Sequence, residues 1–335
     1  MLFVNARNRA DAYTASHALQ KDRCPDGGQF IPARIPVITK DQLTSWQELS
    51  FAQTVCEVLN LFYTPQLDPV DIEFAIGRKP LKLTAMSHKL LVAEVWHNPK
   101  GMLEDAVNKL VRRILSTEDA PEKPVSWAKI SVWIAFLFAI YGQLLQREQL
   151  NAGSAFDIAT SSADFSQTVA AWYAKGMGLP IRTVVCGCDD AGALWDLCNH
   201  GSVNNPRRIA PEMEHLICGV LGQSEACDFG EACSAGKAYQ LSAEKTMELK
   251  QAVFPAVVSD RRMQTVIGSV YRTNAYILDP SSALSFCGLM DYRVGAEETV
   301  PALLLMEKNP AHSGTLVAQA LGVTEKELQK KLETI

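Results

Sequence analysis

The sequence predicts an α/β protein built on a parallel sheet, and three observations carry that prediction. Residues 90–115 are an apolar strand-like segment, a polar break and an amphipathic helix. Residues 156–185 give strand, turn, helix and strand, which indicates a parallel pair joined by a right-handed crossover. Residues 303–306 form a short apolar run typical of a buried strand. With 335 residues, the chain is expected to contain about two domains.

The N-terminal segment is expected to contain a tight turn, a short strand and two helices. Residues 25–28 read Pro-Asp-Gly-Gly, a turn signature because glycine adopts positive φ freely. A short strand follows at residues 30–32, and amphipathic helices are predicted at residues 50–63 and 68–76. The apolar stripe of the first helix consists of Phe51, Val55, Leu59 and Phe62.

The central stretch places a polar turn, residues 97–101, between a strand and a helix. Ala106, Leu110 and Ile114 then recur on one helix face. Because a strand end and a helix N-terminus meet there, this is the usual position for an anion or cofactor in an α/β protein. Residues 116–124 are polar, contain two prolines and read as a linker.

The second half of the chain is expected to be mostly helical. A long helix is predicted at residues 126–148; its most apolar part, residues 130–142, is too short to span a bilayer and reads as a buried helix. Thr324 and Glu327 form a capping-box pattern for the last helix. Other helices are predicted at residues 167–178, 211–221, 242–253 and 259–273.

Composition limits the function classes. The chain is 47% hydrophobic and 21% charged, as in ordinary globular proteins. A net charge of -5 provides no basic surface, so we expect neither nucleic acid nor an anionic membrane as a partner. The N-terminus lacks the apolar core of a signal peptide, so we expect a cytoplasmic protein.

The nine cysteines are expected to be reduced thiols, as is usual in the cytosol. Six of them fall within residues 186–233, where His200 and His215 also lie. A zinc site there is the minor alternative, because spacings such as Cys186-x-Cys188 are weak metal signals. Small buried thiols are the main interpretation, so no metal site is predicted.

Several motifs, in their order along the chain, resemble those of threonine synthase, a fold-type II enzyme family that depends on pyridoxal phosphate (PLP). They are the Pro-Asp-Gly-Gly turn followed by an aromatic residue, an aliphatic residue and proline; the segment 13–19; Glu-Val-Trp-His-Asn-Pro at residues 94–99; and Ala-Lys-Gly-Met-Gly-Leu-Pro-Ile at residues 174–181. The resemblance implies a three-layer parallel sheet like that of the large domain of these enzymes.

The resemblance also implies a domain organisation. It gives a threonine synthase-like N-terminal α+β unit at residues 1–85, a remnant of the cofactor-lysine strand-turn-helix with its linker at 86–124, and an α/β domain at 125–335. The family has a small central sub-domain between the helices that flank the linker. A parallel crossover needs a dozen or more residues, so we expect that sub-domain to be missing here.

The positions that hold PLP in the family are altered in this sequence. Glu104 stands where the family has the lysine that forms the imine, and Lys100 is a nearby lysine on the turn. The family's phosphate loop, Pro-Ser-Gly-Asn-Phe-Gly, aligns with residues 161–166. Ser162 and Phe165 remain, whereas both glycines are lost, which closes the backbone approach to a phosphate.

Two further changes introduce acids. Asp164 replaces the asparagine of the phosphate loop and adds a negative charge where an anion would bind. Glu307 replaces the hydroxyl that meets the ring nitrogen, since the family's Thr-Ala-His-Pro aligns with Glu-Lys-Asn-Pro at residues 307–310, which include Asn309. The upstream family element Glu-Pro-His-Ala-Ala reads Asp-Pro-Ser-Ser-Ala at residues 279–283.

These substitutions favour a pseudoenzyme that needs no cofactor and binds an unknown protein partner or small ligand through a remodelled cleft. The alternative is an enzyme with altered chemistry, in which the acids gather around a cation, an amine or Mg²⁺, or in which Lys100 replaces the lost lysine. The simplest interpretation of each acid is a charged side chain that faces solvent and has no function in a site. The resemblance also implies a possible homodimer. The candidate cleft residues are His97, Lys100, Glu104, Asp105, Ser162, Asp164, Phe165, Glu307 and Asn309.

Overall fold

The structure is a computed structural model that describes residues 1–64, 66–87, 89–97, 103–116, 121–189, 192–296 and 299–333. Its main sheet has six strands, and its five adjacent parallel strands confirm the predicted α/β class. The sixth strand pairs antiparallel at one edge and was not predicted. In spatial order the strands are β10 (Phe254–Val257), β7 (Ile181–Cys188), β6 (Phe156–Ser161), β11 (Ala302–Met306), β5 (Leu90–Glu94) and the antiparallel β4 (Lys82–Ser87).

Helices cover both faces of this sheet, as in a three-layer protein. On one side of the sheet lie α5 (Leu103–Leu115), α6 (Ser126–Gln146), α7 (Phe165–Gly176), α8 (Ala193–His200), α9 (Met213–Leu216), α10 (Gln223–Ala235) and α11 (Ala243–Ala252), whose buried side chains belong to one apolar cluster. The other is covered by α12 (Asp260–Asn274), α13 (Pro280–Gly295), α14 (Gly314–Leu321) and α15 (Glu325–Leu332).

The N-terminal unit has its own antiparallel sheet, whose strands lie in the order β2 (Ala12–Thr14), β1 (Leu2–Asn5) and β3 (Phe30–Pro32). The turn at residues 25–28 has Gly27 at a φ of 85°, and a side chain on Gly28 would overlap that of Asn5. The glycines of this motif are therefore needed for both conformation and space. The elements are β1 (Leu2–Asn5), β2 (Ala12–Thr14), α1 (Ala15–Gln20), β3 (Phe30–Pro32), α2 (Lys40–Trp46), α3 (Phe51–Asn60) and α4 (Pro69–Ile76).

A buried ion pair joins the N-terminal unit to α9. The Arg7 guanidinium donates to both carboxylate oxygens of Glu214, over 2.8 Å and 3.1 Å, and its third nitrogen donates to the Asp26 carbonyl oxygen. Burial works to raise the pKa of Glu214, and Arg7 opposes that effect. The turn at residues 25–28 is therefore fixed against the α/β unit by one arginine.

The helix α6 is longer than the apolar run that the sequence singles out. Its 21 residues are long and apolar enough to cross a membrane by length and composition, whereas the predicted apolar run of residues 130–142 is by itself too short. The prediction of a buried helix is confirmed, because 94% of its most apolar window lies inside the fold, where α3 and α7 pack against it. Its indole and phenyl side chains, among them Trp133 and Phe136, are fully buried.

Several boundaries differ from the predicted ones. The helix α7 begins at Phe165 because Asp164 caps it, two residues earlier than predicted. The predicted helix at residues 211–221 begins at Met213 and ends in a π-helix, Ile217–Leu221. The helices α2, α10 and α13, the strand β4 and the short antiparallel pair β8 (Ser202–Val203) and β9 (Tyr239–Gln240) were not predicted.

Candidate functional site

The candidate site lies at the carboxyl ends of three neighbouring parallel strands, β5, β11 and β6. Met306 pairs in register with Glu94, and Leu304 pairs with Ala159, so these strands end at the same edge of the sheet. Side chains that follow their last residues therefore converge, which is the usual place for a ligand in an open α/β sheet.

At this edge a lysine lies between two of the predicted acids. The Lys129 ammonium, from the start of α6, lies 3.1 Å from Asp164 Oδ2 and 3.7 Å from Glu307 Oε1. The Trp133 indole also donates to Asp164 Oδ2, over 3.2 Å. The three charged side chains are only 20%, 9% and 8% exposed. We call Lys129, Asp164 and Glu307 the charged triad.

The pKa values of the three side chains in the charged triad are shifted in different directions. Burial, followed by the negative charge of Asp164, raises the pKa of Glu307 to about 8. Burial works against ionisation of Asp164, but a hydrogen bond with Glu307 and the charge of Lys129 outweigh it and lower the pKa of Asp164. The two acids raise the pKa of Lys129 despite its burial. At neutral pH the triad is therefore a protonated amine, a carboxylate and a neutral acid, with no net charge.

The polar groups of the turn before α7 form hydrogen bonds with other groups of the protein. Asp164 is the N-cap of α7 and accepts from both the backbone N–H and the hydroxyl of Ser166. Ser162 Oγ accepts from the Asp189 backbone N–H over 3.2 Å, and Phe165 is a core residue. An internal carboxylate therefore caps the N-terminus of α7, a position where a bound anion would otherwise accept hydrogen bonds.

His97 belongs to a different group of side chains. Its Nε2 lies 2.9 Å from Glu94 Oε2, and its ring stacks on that of Trp96. Burial lowers the pKa of His97, with the neighbouring Lys82 acting in the same direction and Glu94 against it. The buried Glu94 also accepts from the Thr84 hydroxyl. The structure thus places His97 at the β4–β5 edge rather than in the charged triad.

The other candidate residues are more peripheral. Glu104 and Asp105 are exposed in the first turn of α5, although the charge of Glu104 contributes to the raised pKa of Lys129. Asn309 caps a short 3₁₀ turn, where its side chain accepts from the Ala311 backbone N–H. Lys100 lies outside the described residues.

A cavity of about 490 Å³ opens beside the turn, at the ends of β6 and β7. Ser162 and Phe165 line one side of it, and Cys188 and the start of α8 line another. The Arg208 side chain also lines it and supplies a positive charge. Its size is in the range of small-molecule sites.

Lys129 is the functional residue that the sequence analysis missed. The signal was a lysine at the boundary of an otherwise apolar helix, where a charged side chain is either exposed or paired inside the fold.

The cysteines are free thiols, and Cys186 Sγ and Cys188 Sγ are 4.0 Å apart. Among the residues that the structure describes, no group of three or more His, Cys, Asp or Glu side chains is arranged to hold a metal ion.

Sequence comparison finds a matching family for the N-terminal residues and relatives that match longer stretches of the chain. Residues 2–78 match the family described as the threonine synthase N terminus. Threonine synthase-like 1 from Homo sapiens is 24% identical over 217 residues, which cover 60% of this chain and 29% of that protein. Threonine synthase-like 2 from Xenopus laevis is 32% identical over 100 residues, which cover 27% and 21%. The chain thus spans less than a third of the length of these curated relatives.

Solved structures show the same fold. The PLP-bound threonine synthase from Brucella melitensis superposes with a TM-score of 0.83 at 17% identity, covering 96% of this chain and 92% of that one. Threonine synthase from yeast gives a TM-score of 0.77, also at 17% identity, with coverage of 100% and 94%. At this identity the superpositions establish the fold rather than the activity.

Proposed function

We propose that this chain, which resembles threonine synthase-like proteins, is a pseudoenzyme that works without PLP and binds a protein partner or a small ligand through its remodelled cleft. One observation carries this proposal. The Lys129 ammonium is held between Asp164 and Glu307 at the edge of the sheet, and the resemblance relates these two acids to positions that bind PLP in the family.

The charged triad does not fit the imine chemistry that PLP requires. An imine forms only with a free amine, whereas the two acids keep Lys129 protonated by raising its pKa. Glu104, at the family's lysine position, has no amine. PLP would supply an electron sink for a substrate carbanion if it were bound. Lys129, the lysine that lies at this edge of the sheet, is held in an ion pair rather than presented as a free amine.

The turn at the start of α7 does not fit the cofactor phosphate. Its Ser166 N–H donates to Asp164, and a phosphate would have to displace a carboxylate that Lys129 also holds. The phosphate would then lie beside the displaced negative charge, which costs free energy in a buried position. This geometry supports loss of cofactor binding.

The cavity beside the turn is where we place the ligand. Its volume, about 490 Å³, is large enough for a small molecule. The apolar ring of Phe165, the Ser162 hydroxyl and the Arg208 guanidinium line it. Glu104 is exposed near the triad, so a partner that covers the cleft would contact it. We therefore expect Glu104→Ala to weaken partner binding without affecting any turnover.

The test is equilibrium titration of the purified protein with PLP, followed by visible absorbance, borohydride reduction and peptide mapping. We expect no imine band and no reduced lysine adduct. A catalytically active threonine synthase, treated in parallel, is the positive control. An adduct on Lys129, or on Lys100, which the alternative enzyme hypothesis requires, would overturn the proposal. Sedimentation equilibrium of the same sample would show whether the chain forms a homodimer.

A further inference from the structure

A second cavity, of about 240 Å³, lies between the N-terminal unit and the α/β unit. Its walls come from the segment after β3, from Trp172 and Tyr173 on α7, and from His215 and Gly219 near the π-helix. Trp172 is eight residues beyond Asp164, or about 12 Å along the helix axis. The cavity is therefore separate from the charged triad.

Two arginines, Arg9 and Arg34, line this cavity. Both side chains are exposed at its mouth, and neither forms an ion pair with any residue in the described part of the chain. The Arg9 guanidinium lies 3.9 Å from Cys218 Sγ. Two guanidinium groups at one opening, without acids to neutralise them, produce a local positive potential that attracts anions.

A buried histidine with an unused nitrogen forms part of the wall. His215 is 1% exposed, its Nδ1 lies 3.1 Å from the Tyr173 hydroxyl, and its Nε2 has no hydrogen-bond partner. Burial lowers the pKa of His215 to about 3, so the ring is neutral. When the Tyr173 hydroxyl donates to Nδ1, the ring proton resides on Nε2, which is then a donor without an acceptor. Buried donors of this kind are unusual and call for an explanation.

The remaining wall is apolar and fixed in place. A side chain on Gly219 would overlap the Trp172 ring, so this glycine allows the indole to pack directly on the backbone of the π-helix. Ile31, Pro32 and Ile35 complete the apolar surface. Short π-helical segments occur frequently at functional sites because they re-aim side chains.

We propose that this cavity binds a small carboxylate with a short apolar body, whose oxygens are held by Arg9, Arg34 and the His215 Nε2–H while its body lies against Trp172. The volume admits only a small molecule, and a carboxylate matches the planar donor fork of arginine. This site is independent of the proposed function of the cleft.

The experiment is calorimetric titration of the full chain with benzoate, as an apolar carboxylate, and with inorganic phosphate. We expect saturable benzoate binding that weakens as ionic strength rises. Arg9→Gln and Arg34→Gln should each weaken it roughly tenfold, because each removes a charge-assisted hydrogen bond. Arg261→Gln, at an exposed arginine on α12, is the matched control and should leave the affinity unchanged.

A second readout follows the imidazole directly. The ¹⁵N signals of His215, assigned by their absence in His215→Gln, should show a protonated Nε2 whose shift moves on benzoate addition. No saturable binding at millimolar benzoate, equal affinity for phosphate, or unchanged affinity in both arginine variants would overturn the proposal. An Nε2 signal that does not move while benzoate binds would equally overturn the assigned site.

Discussion

Lys129 Nζ and Asp164 Oδ2 lie 3.1 Å apart and join the start of α6 to the cap of α7. Both side chains are largely buried, so each charge has lost most of its hydration and is stabilised by the other. Their pairing turns a position suited to a bound anion into part of the protein interior.

Replacing the cation should destabilise the fold. Lys129→Met leaves the ionised Asp164 buried without its partner, and breaking a buried pair in this way costs about 3–5 kcal/mol of unfolding free energy. Urea denaturation at pH 7 measures it. Lys326→Met, at an exposed lysine on α15, should change the value by less than about 0.5 kcal/mol. A loss below about 1 kcal/mol for Lys129→Met would show that the pair is effectively solvated.

Glu307 should make stability depend on pH. Its pKa is raised in the folded chain from an ordinary 4.5 to about 8, so the folded state binds more protons than the unfolded state between those values. The resulting stabilisation is fully present below pH 4.5 and is lost as pH rises through about 8.

The measurement is the free energy of unfolding at pH 6 and pH 9 in wild type and in Glu307→Gln. Glutamine resembles the protonated acid, so the variant should lose most of the decline that wild type shows. Glu248→Gln, at an exposed glutamate on α11, should keep it. Asp164 has a lowered pKa and acts in the opposite sense, destabilising only as pH falls towards its own value. Burial lowers the pKa of His215 and raises those of Cys24 and Cys198, so these groups also contribute between pH 6 and pH 9, and the difference between wild type and Glu307→Gln is the quantity that reports Glu307. A steeper decline in Glu307→Gln would contradict the assignment.

The bond between Arg7 and Glu214 should be strongly coupled. Either Arg7→Met or Glu214→Met alone leaves a buried charge, at about 3–5 kcal/mol, whereas the double variant should cost less than the sum. A double-mutant cycle by urea denaturation gives the interaction energy. Arg78 and Glu73 form an exposed pair and serve as the control, with an expected coupling of about 0.2–1 kcal/mol. Additive losses at Arg7 and Glu214 would rule out a joint role.

Restoring the family's lysine should not restore its chemistry. Glu104→Lys supplies an amine, but Asp164 still accepts from the Ser166 backbone N–H at the start of α7, and Glu307 still lies beside Lys129. We expect no imine absorbance with PLP and no borohydride adduct at residue 104. Lys123, an exposed lysine of the linker, provides the background level of adventitious labelling. A stoichiometric adduct at residue 104 would refute the idea that these acids block the site.

The sequence anticipates local features well. The capping box of Thr324 and Glu327 and the turn at residues 25–28 appear as predicted, because each depends on neighbours within a few residues. The predicted apolar stripe is buried, although α3 ends at Asn60 and Phe62 lies beyond it. The strand β4 escapes prediction because an edge strand is only half-buried and its pattern is weak.

The candidate site could be predicted only in part. Asp164 and Glu307 do share an environment, but the partner that determines their charge, Lys129, is far from both in sequence. His97 finds Glu94 three residues away, a contact that competes with any role beside the triad. Pairings between distant segments depend on tertiary packing, which periodicity and spacing do not encode.

The helix α6 also bears on how the chain is made. As it leaves the ribosome, a 21-residue apolar helix resembles a segment that the translocation machinery would insert into a bilayer. The helix α3, which packs against it, has by then been synthesised, and α7 follows within a few tens of residues. The order of synthesis therefore supplies one covering surface in advance and the other soon afterwards, so that prompt folding competes with misdirected insertion and aggregation of the nascent chain.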